Sequence, residues 1–183
     1  MKQYIDITVL PDPEFAEATL MNALYAKCHR ALGQFADGKV GVSFPNHQKT
    51  LGATLRLHGV GETLDFLMAQ HWLKGLGDYT EVTQVQDIPS VVKYRTVRRV
   101  IKKSPHNKMK RSVQKGWLTV EQAQERIKNA DSHLLSLPYA QLTSLSNKNL
   151  YKVFVKHGEC SPEPVDGHFT SYGLSRLATV PWF

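Results

Sequence analysis

Residues 4–32 have the sequence YIDITVLPDPEFAEATLMNALYAKCHRAL, which sets out the first two elements of the chain. Over residues 4–9, isoleucine and valine alternate with polar residues, which is the period of a half-buried strand. After two prolines, apolar residues recur at every fourth position from 20 to 32. This spacing predicts an amphipathic helix over residues 13–32, closed by Gly33. We therefore expect a strand followed by a long helix.

Similar patterns continue to residue 85 and predict a βαββαβ unit. Three further strands are predicted near residues 38–44, 55–57 and 79–85, and a second helix over residues 63–73. Such an antiparallel sheet with two helices on one face is the ferredoxin-like arrangement. We expect an α+β fold in which residues 1–90 form this domain. The arrangement alone gives no function, and its strands lack the aromatic signature of an RNA recognition motif.

The bulk composition limits the class of protein. At 183 residues with 42% apolar content, the chain fits one domain or two small ones that share a core. No apolar run approaches the roughly 20 residues of a membrane span, and the start of the sequence lacks the features of a signal peptide. We expect a cytoplasmic protein with no membrane partner. Cys28 and Cys160 are far apart in sequence and are expected to be reduced thiols.

Positive charge is concentrated in residues 93–115, KYRTVRRVIKKSPHNKMKRSVQK, which hold ten Lys or Arg and no Asp or Glu. The whole chain has a formal charge of +7, yet outside this stretch 13 basic residues face 16 acidic ones. A local surface that binds a polyanion is the direct interpretation. Nucleic acid is favoured over an anionic membrane surface or a purely structural basic face. Lys102 and Lys103 are candidate contacts.

A short helix is predicted within this basic stretch. Ser104 and Pro105 are typical of an N-cap and the first helical position, and Gly116 of the residue that follows a helix. Over residues 105–115 the cations Lys108, Arg111 and Lys115 share one face, while Met109 and Val113 lie on another. The pattern predicts a helix with one cationic and one packed face.

Residues 91–183 are expected to form a second half, with the basic helix and a small antiparallel sheet. Thr119 and Gln122 have the spacing of a capping box for a helix that ends near residue 128. Strands are predicted over residues 139–144 and 150–157, joined by a loop rich in hydroxyl and amide groups. The apolar final residues predict a tail docked in the core.

His29 has the most chemical interest in the first half. It lies at the margin of the apolar stripe near the end of the first helix, where a cleft can reach it. A neutral imidazole can accept a proton near pH 7, and an imidazolium can donate one. The competing interpretation is a helix-end histidine that meets the helix dipole. Without a Cys-x-x-Cys or a second short pair of ligands, no metal site is expected, and no cofactor.

Together these segments closely resemble one family, the CRISPR-associated repeat-RNA endoribonucleases of subtype I-F. The resemblance covers nearly the whole chain. It is carried, in order, by YIDITVLPDPEF, LMNALYAKCHRAL, GVSFP, YRTVRRV, KVFVKHG, FTSYGLSR and VPWF. Several of these strings are improbable individually, so the match is more specific than a shared fold.

The resemblance implies roles for particular residues. His29 aligns with the family's catalytic imidazole, Ser144 with its active-site serine and Tyr172 with the tyrosine that positions the histidine. Because Ser146 lies two residues on, either serine is a candidate for the active site.

The RNA contacts implied by the resemblance lie mostly in the second half. They are the guanine-reading linker residue Arg99, the groove-binding residues Arg111 and Lys115, the loop residues Ser146 and Asn147, and the stacking residue Tyr151. Two positions depart from the family pattern. Ile101 stands where the family has a base-reading glutamine, and Lys115 replaces an arginine, which removes a planar bidentate fork.

The activity implied is metal-independent cleavage of CRISPR repeat stem-loops. The RNA 2′-OH would attack the adjacent phosphate, leaving a 2′,3′-cyclic phosphate and a 5′-OH, and the protein would stay bound to its product. Implied partners are the repeat RNA and other subunits of the type I-F surveillance complex. A non-catalytic subunit that binds RNA hairpins on the same scaffold is the main alternative. A DNA-binding regulator is disfavoured because no convincing helix-turn-helix is present.

Overall fold

The structure, a computed structural model, describes residues 1–101, 105–128 and 136–183, with the backbone alone at residues 105–108 and 128. The chain divides into two compact units, one of residues 1–100 with 137–183 and the other of residues 101–136. The first unit joins segments from both predicted halves, and the predicted boundary at residue 90 lies inside it. The assignment of catalysis and RNA binding to separate halves stays a prediction.

The predicted α+β class is confirmed, and the first seven elements are built around one antiparallel sheet. In chain order they are β1 (Gln3–Val9), α1 (Glu17–Ala31), β2 (Gly41–Ser43), β3 (Thr54–Gly59), α2 (Gly61–Met68), β4 (Thr80–Val82) and β5 (Gln86–Asp87). The sheet order is β2-β3-β1-β4, and β5 pairs with β1. The alternating residues Ile5, Ile7 and Val9 of β1 are buried, as their period predicts.

The end of the first helix differs from the prediction. After α1 the chain continues as a π-helical turn over Leu32–Ala36, and Asp37 then takes a left-handed φ of 47°. Gly33 therefore lies inside this turn and does not close the helix. A Cβ atom at Gly33 would lie 3.3 Å from the Cβ of Ser171. The glycine instead allows the segment around Ser171 to approach the helix end closely.

A second antiparallel sheet has the order β7-β8-β6-β9. Its strands are β6 (Lys93–Val100), β7 (Tyr139–Thr143), β8 (Leu150–His157) and β9 (Thr179–Trp182). The first half of the basic stretch is thus a strand, which charge alone had not indicated. The final strand buries Val180 against the core, as predicted for the apolar tail.

The second unit contains α3 (Pro105–Gln114) and α4 (Val120–Lys128), which pack together. The helix predicted from residue 105 is confirmed. The capping box is also present, because the Thr119 backbone N–H donates to Gln122 Oε1 at 3.1 Å and the Gln122 N–H donates to Thr119 Oγ1 at 3.2 Å. No helix in the described part of the chain is long and apolar enough to cross a membrane. Lys102, Lys103 and the side chain of Lys108 lie outside the described residues.

Candidate active site

His29 lies in the last turn of α1 and is half-buried. Its Nδ1 is 3.0 Å from the carbonyl oxygen of Ser171, and its ring stacks on that of Tyr172 with 3.9 Å between centroids and 4° between planes. A hydrogen bond fixes one edge of the imidazole, and the stack fixes its plane. The predicted positioning partner, Tyr172, is therefore in direct contact with the ring.

The contact with Ser171 determines the tautomer of His29. A carbonyl oxygen can only accept, so Nδ1 carries the hydrogen, and in the neutral ring Nε2 keeps its lone pair. Burial lowers the pKa of the imidazole below its usual value. The hydrogen bond to Ser171 opposes that shift, whereas the charges of Arg30 and Arg99 add to it. Near pH 7 the ring is neutral, with Nε2 able to accept a proton.

The backbone that carries Ser171 and Tyr172 is held on both sides. Gly173 has a φ of 68°, and a Cβ atom there would overlap the side chain of Val42. The buried Tyr25 hydroxyl donates to the carbonyl oxygen of Tyr172 at 2.9 Å. Burial raises the pKa of Tyr25, so this phenol remains a donor. Sequence reasoning missed Tyr25, although its place one turn before His29 on α1 was a usable signal.

A cleft of about 310 Å³ opens beside His29, between the end of α1 and the loop that joins β7 to β8. Ser144 and Ser146 both line it, with 3.0 Å between their Oγ atoms. Arg30 also lines the cleft and was not among the predicted residues, although it directly follows His29. The geometry thus brings both candidate serines to the histidine.

Asn147 has a different position from the two serines. It does not line the cleft, and its Oδ1 accepts a hydrogen bond from the backbone N–H of Asn149 at 3.1 Å. Such a side-chain turn shapes the loop. The predicted RNA contact of Asn147 stays a prediction.

Arg99 and two tyrosines form a cluster next to His29. The Arg99 guanidinium lies 4.8 Å from the ring centroid of Tyr172 and 5.8 Å from that of Tyr151. The two phenol oxygens are 3.0 Å apart. Burial and this hydrogen bond raise the pKa of Tyr151 to about 12. Within the described residues Arg99 Nε is buried and has no hydrogen-bond partner.

The described residues contain no group of three or more His, Cys, Asp or Glu side chains arranged to hold a metal ion. Cys28 is buried and Cys160 is exposed, and both are free thiols, as predicted. The polar side-chain groups that line the cleft are the His29 imidazole, several hydroxyl groups and the Arg30 guanidinium.

The comparison with known proteins agrees with the resemblance noted from the sequence strings. The family model described as "CRISPR-associated protein (Cas_Csy4)" matches residues 4–183. The chain belongs to this Cas6/Csy4 family. A relative named "CRISPR-associated endonuclease Cas6/Csy4" from Escherichia coli (strain UTI89 / UPEC) is 48% identical over 184 residues, covering 100% of both chains. A relative with the same name from Pseudomonas aeruginosa (strain UCBPP-PA14) is 37% identical over 187 residues, again covering 100% of both.

Within this Cas6/Csy4 chain, the other predicted RNA contacts lie in the second unit. Arg111 and Lys115 are exposed. The Lys115 ammonium is 4.6 Å from the ring centroid of Trp117, whose side chain is 70% exposed. Ile101, at the position where the family pattern has glutamine, is 63% exposed and offers no side-chain donor or acceptor. Any base reading at that position must use the backbone.

Proposed function

We propose that this chain is an endoribonuclease that cuts CRISPR repeat RNA at a stem-loop. Membership of the Cas6/Csy4 family supports an RNA-processing role, and both relatives are named endonucleases. The observation that carries the proposal is the geometry at His29. Its Nδ1 is held by the Ser171 carbonyl oxygen, and its ring borders a cleft that two serine side chains also line.

The reaction uses the RNA's own 2′-OH as nucleophile. Nε2 of His29 takes the 2′-OH proton, the 2′ oxygen bonds to the adjacent phosphorus, and the bond from phosphorus to the 5′ oxygen breaks. The 5′ oxygen takes up a proton from water. The products are a 2′,3′-cyclic phosphate and a 5′-OH. Since no bound water has to be activated, the step requires correct in-line geometry and proton transfer, and we propose that it is metal-independent.

The neighbours of His29 position the reacting groups. Ser144 and Ser146 hold the ribose from the opposite wall of the cleft, and the stacked Tyr172 keeps Nε2 directed at the 2′-OH. Tyr151 stacks on the terminal base pair of the stem, and Arg99 donates to a base near it. The position of the Arg99 guanidinium beside the Tyr151 and Tyr172 rings supports this role, because a guanidinium can donate to a base edge.

Recognition of the hairpin is proposed to depend on the basic residues of the second unit. Arg111 and Lys115, together with Lys102, Lys103 and Lys108, bind the stem mainly through phosphates. None of these residues takes part in the cut, so the hairpin contacts survive cleavage and the product stays bound. We propose that the bound product then joins the other subunits of a type I-F surveillance complex.

The decisive experiment compares two repeat hairpins in excess EDTA. One is all ribose, and the other has a single 2′-deoxy nucleotide immediately 5′ of the scissile phosphate. Cleavage of the first alone is expected. Cleavage of both would overturn 2′-OH attack, and a requirement for added metal would overturn metal independence. Tight binding of both without any cleavage would support the non-catalytic RNA-binding subunit instead.

A further inference from the structure

A second basic site lies on the first unit, apart from the cleft at His29. It is a pocket of about 410 Å³ whose cationic lining is Arg95, Arg98, Lys156 and Arg176, here called the basic pocket. It shares no lining residue with the cleft. We propose that the basic pocket binds the phosphodiester backbone of single-stranded RNA that continues from the hairpin. This inference rests on the proposed function.

Among the described residues, the cations of the basic pocket have no acidic partner within 4 Å. Arg98 and Lys156 are directly opposite each other in the β6–β8 pair, an arrangement of like charges that is unfavourable without a counterion. Ion pairs shorter than 4 Å within the described residues join Lys39 to Asp37 and Arg56 to Asp6, and none involves the pocket. Its lining includes a single acidic residue, Glu159. A bound anion would relieve this excess of positive charge.

One wall of the basic pocket is already ordered. The Nε and Nη2 groups of Arg95 donate to the carbonyl oxygen of Gly158 at 2.8 and 2.5 Å, and its guanidinium lies 4.4 Å from the ring centroid of Trp182. Held in this way, Arg95 loses little side-chain entropy when a ligand binds its remaining donors. Planar guanidinium groups suit phosphate oxygens, which they can contact through two donors at once.

The position of the basic pocket indicates which anion reaches it. Arg98 and Arg99 are consecutive residues of β6. The Arg99 guanidinium lies against the Tyr172 ring beside the cleft, whereas Arg98 lines the basic pocket. Because consecutive Cα atoms are only about 3.8 Å apart, nucleotides that flank an RNA held at the cleft can reach the pocket. We favour this RNA over an acidic protein surface because it arrives with the substrate and carries one phosphate per nucleotide.

The test measures how much a single-stranded extension adds to hairpin affinity. Equilibrium binding is measured for the hairpin alone and for hairpins extended on the 5′ or the 3′ side, over a range of salt concentrations. The full chain is compared with the double variant Arg98→Gln/Lys156→Gln. A matched control, Lys2→Gln/Lys49→Gln, removes the same charge from exposed positions outside the pocket.

We expect one extension to raise affinity for the full chain and the control, and the double variant to lose that gain. Because each single-strand phosphate contact contributes about 0.7 to the slope of log K against log salt, the loss of two contacts should lower the slope by about 1.4. An extension with uncharged methylphosphonate linkages should give no gain. Affinity for the bare hairpin should be the same in all three proteins.

Several results would overturn the inference while leaving the proposed function intact. They are an extension that adds nothing, an equal loss in the double variant and the control, or a gain that persists with the uncharged linkages. An acidic peptide that binds the full chain and not the double variant, with no gain from either extension, would assign the pocket to a protein partner. Failure of the full chain to bind the bare hairpin would count against the proposed function itself.

Discussion

A backbone carbonyl and a phenol ring together set the chemistry of His29. The Ser171 backbone carbonyl selects the tautomer of His29, and the Tyr172 ring fixes the plane of the imidazole. Neither Ser171 nor Tyr172 has to act as an acid or a base. Burial keeps the imidazole neutral. At the scale of the residue, the site is organised to present one lone pair on Nε2.

Replacement of His29 by alanine should separate catalysis from binding. In His29→Ala we expect the single-turnover cleavage rate to fall by about 10²–10⁴, the usual contribution of a positioned acid or base. Affinity for a hairpin blocked by a 2′-deoxy nucleotide should change little, because the proposed phosphate contacts lie elsewhere. His168→Ala, at an exposed histidine, is the control. An affinity loss as large as the rate loss would contradict this division of roles.

The pH dependence of cleavage should identify His29 as a base. The second-order rate constant at subsaturating protein reports the free enzyme. It should rise with pH and level off with an inflection below pH 6.5, because the pKa of His29 is lowered and the base must be unprotonated. An acid at this position would give the opposite slope. A rate that falls as the pH rises through this range would indicate that His29 acts as the acid that protonates the leaving 5′ oxygen.

Sequence reasoning found the reacting group and missed most of its supports. His29 was identified from its place on the helix margin together with the family resemblance, and the structure puts it in a cleft. Tyr25 and Arg30 are close to His29 on α1, but their roles depend on residues more than 100 positions away, because Tyr25 bonds to Tyr172 and Arg30 faces the loop of Ser144 and Ser146 across the cleft. The contact of Arg99 with two rings likewise depends on tertiary packing that no local pattern encodes.

At the scale of elements, the basic stretch is divided between a strand and a helix that belong to different compact units. β6 carries Arg95, Arg98 and Arg99, whereas α3 carries Arg111. The binding of a polyanion by this stretch stays a prediction, and it now has to be considered separately for the strand and for the helix. The strand presents its cations on alternate faces, and the helix presents an exposed one at Arg111.

Removal of the Arg111 charge should weaken binding without changing the chemistry. We expect Arg111→Ala to lower hairpin affinity and to reduce the slope of log K against log salt by about one, as for the loss of one phosphate contact. Arg126→Ala on α4 removes the same charge from an exposed position in the same unit and serves as the control. If the two variants have equal slopes, Arg111 makes no phosphate contact.

Local signals predicted element starts better than element ends. The capping box of Thr119 and Gln122 and the Pro105 start of α3 are encoded within one turn, and both are present. Gly33 also resembled a helix end, yet the helix continues as a π-helical turn. The glycine serves the approach of Ser171, a contact between residues 138 positions apart, and so it could not be interpreted from its neighbours.

At the scale of the whole molecule, the buried His58 and the partly buried His157 are both held in the neutral form. Burial lowers the pKa values of His58 and His157 to about 3. His58 Nε2 is 2.8 Å from the Ser43 hydroxyl, and His157 stacks on His47 at 3.6 Å. The unfolded chain binds protons at both positions below about pH 6.5, and the folded chain does so only near pH 3.

The free energy of unfolding should therefore fall as the pH drops from about 6.5 towards 3, and it should lose this dependence above 6.5. Each of these two histidines contributes about 1.4 kcal/mol per pH unit within that window. In His58→Gln the slope of the unfolding free energy against pH should decrease by about 1.4 kcal/mol per pH unit, which corresponds to one proton. Urea unfolding at a series of pH values measures this slope. His168→Gln should keep the full slope. Identical slopes in both variants would show that His58 is protonated in the folded state.

Residues 101–138 connect two strands of the second sheet, β6 and β7, which flank β8 at the same residue, Phe154. Val100 closes β6 and Tyr139 opens β7, and both are opposite Phe154 of β8, so the two ends are about two strand spacings, or 10 Å, apart. A segment anchored in this way can lengthen, shorten or be exchanged in evolution while the register of the sheet is kept. If the helices between these anchors read the hairpin, RNA preference can diversify independently of the cutting site. A graft of this segment from a relative would then transfer specificity as a module.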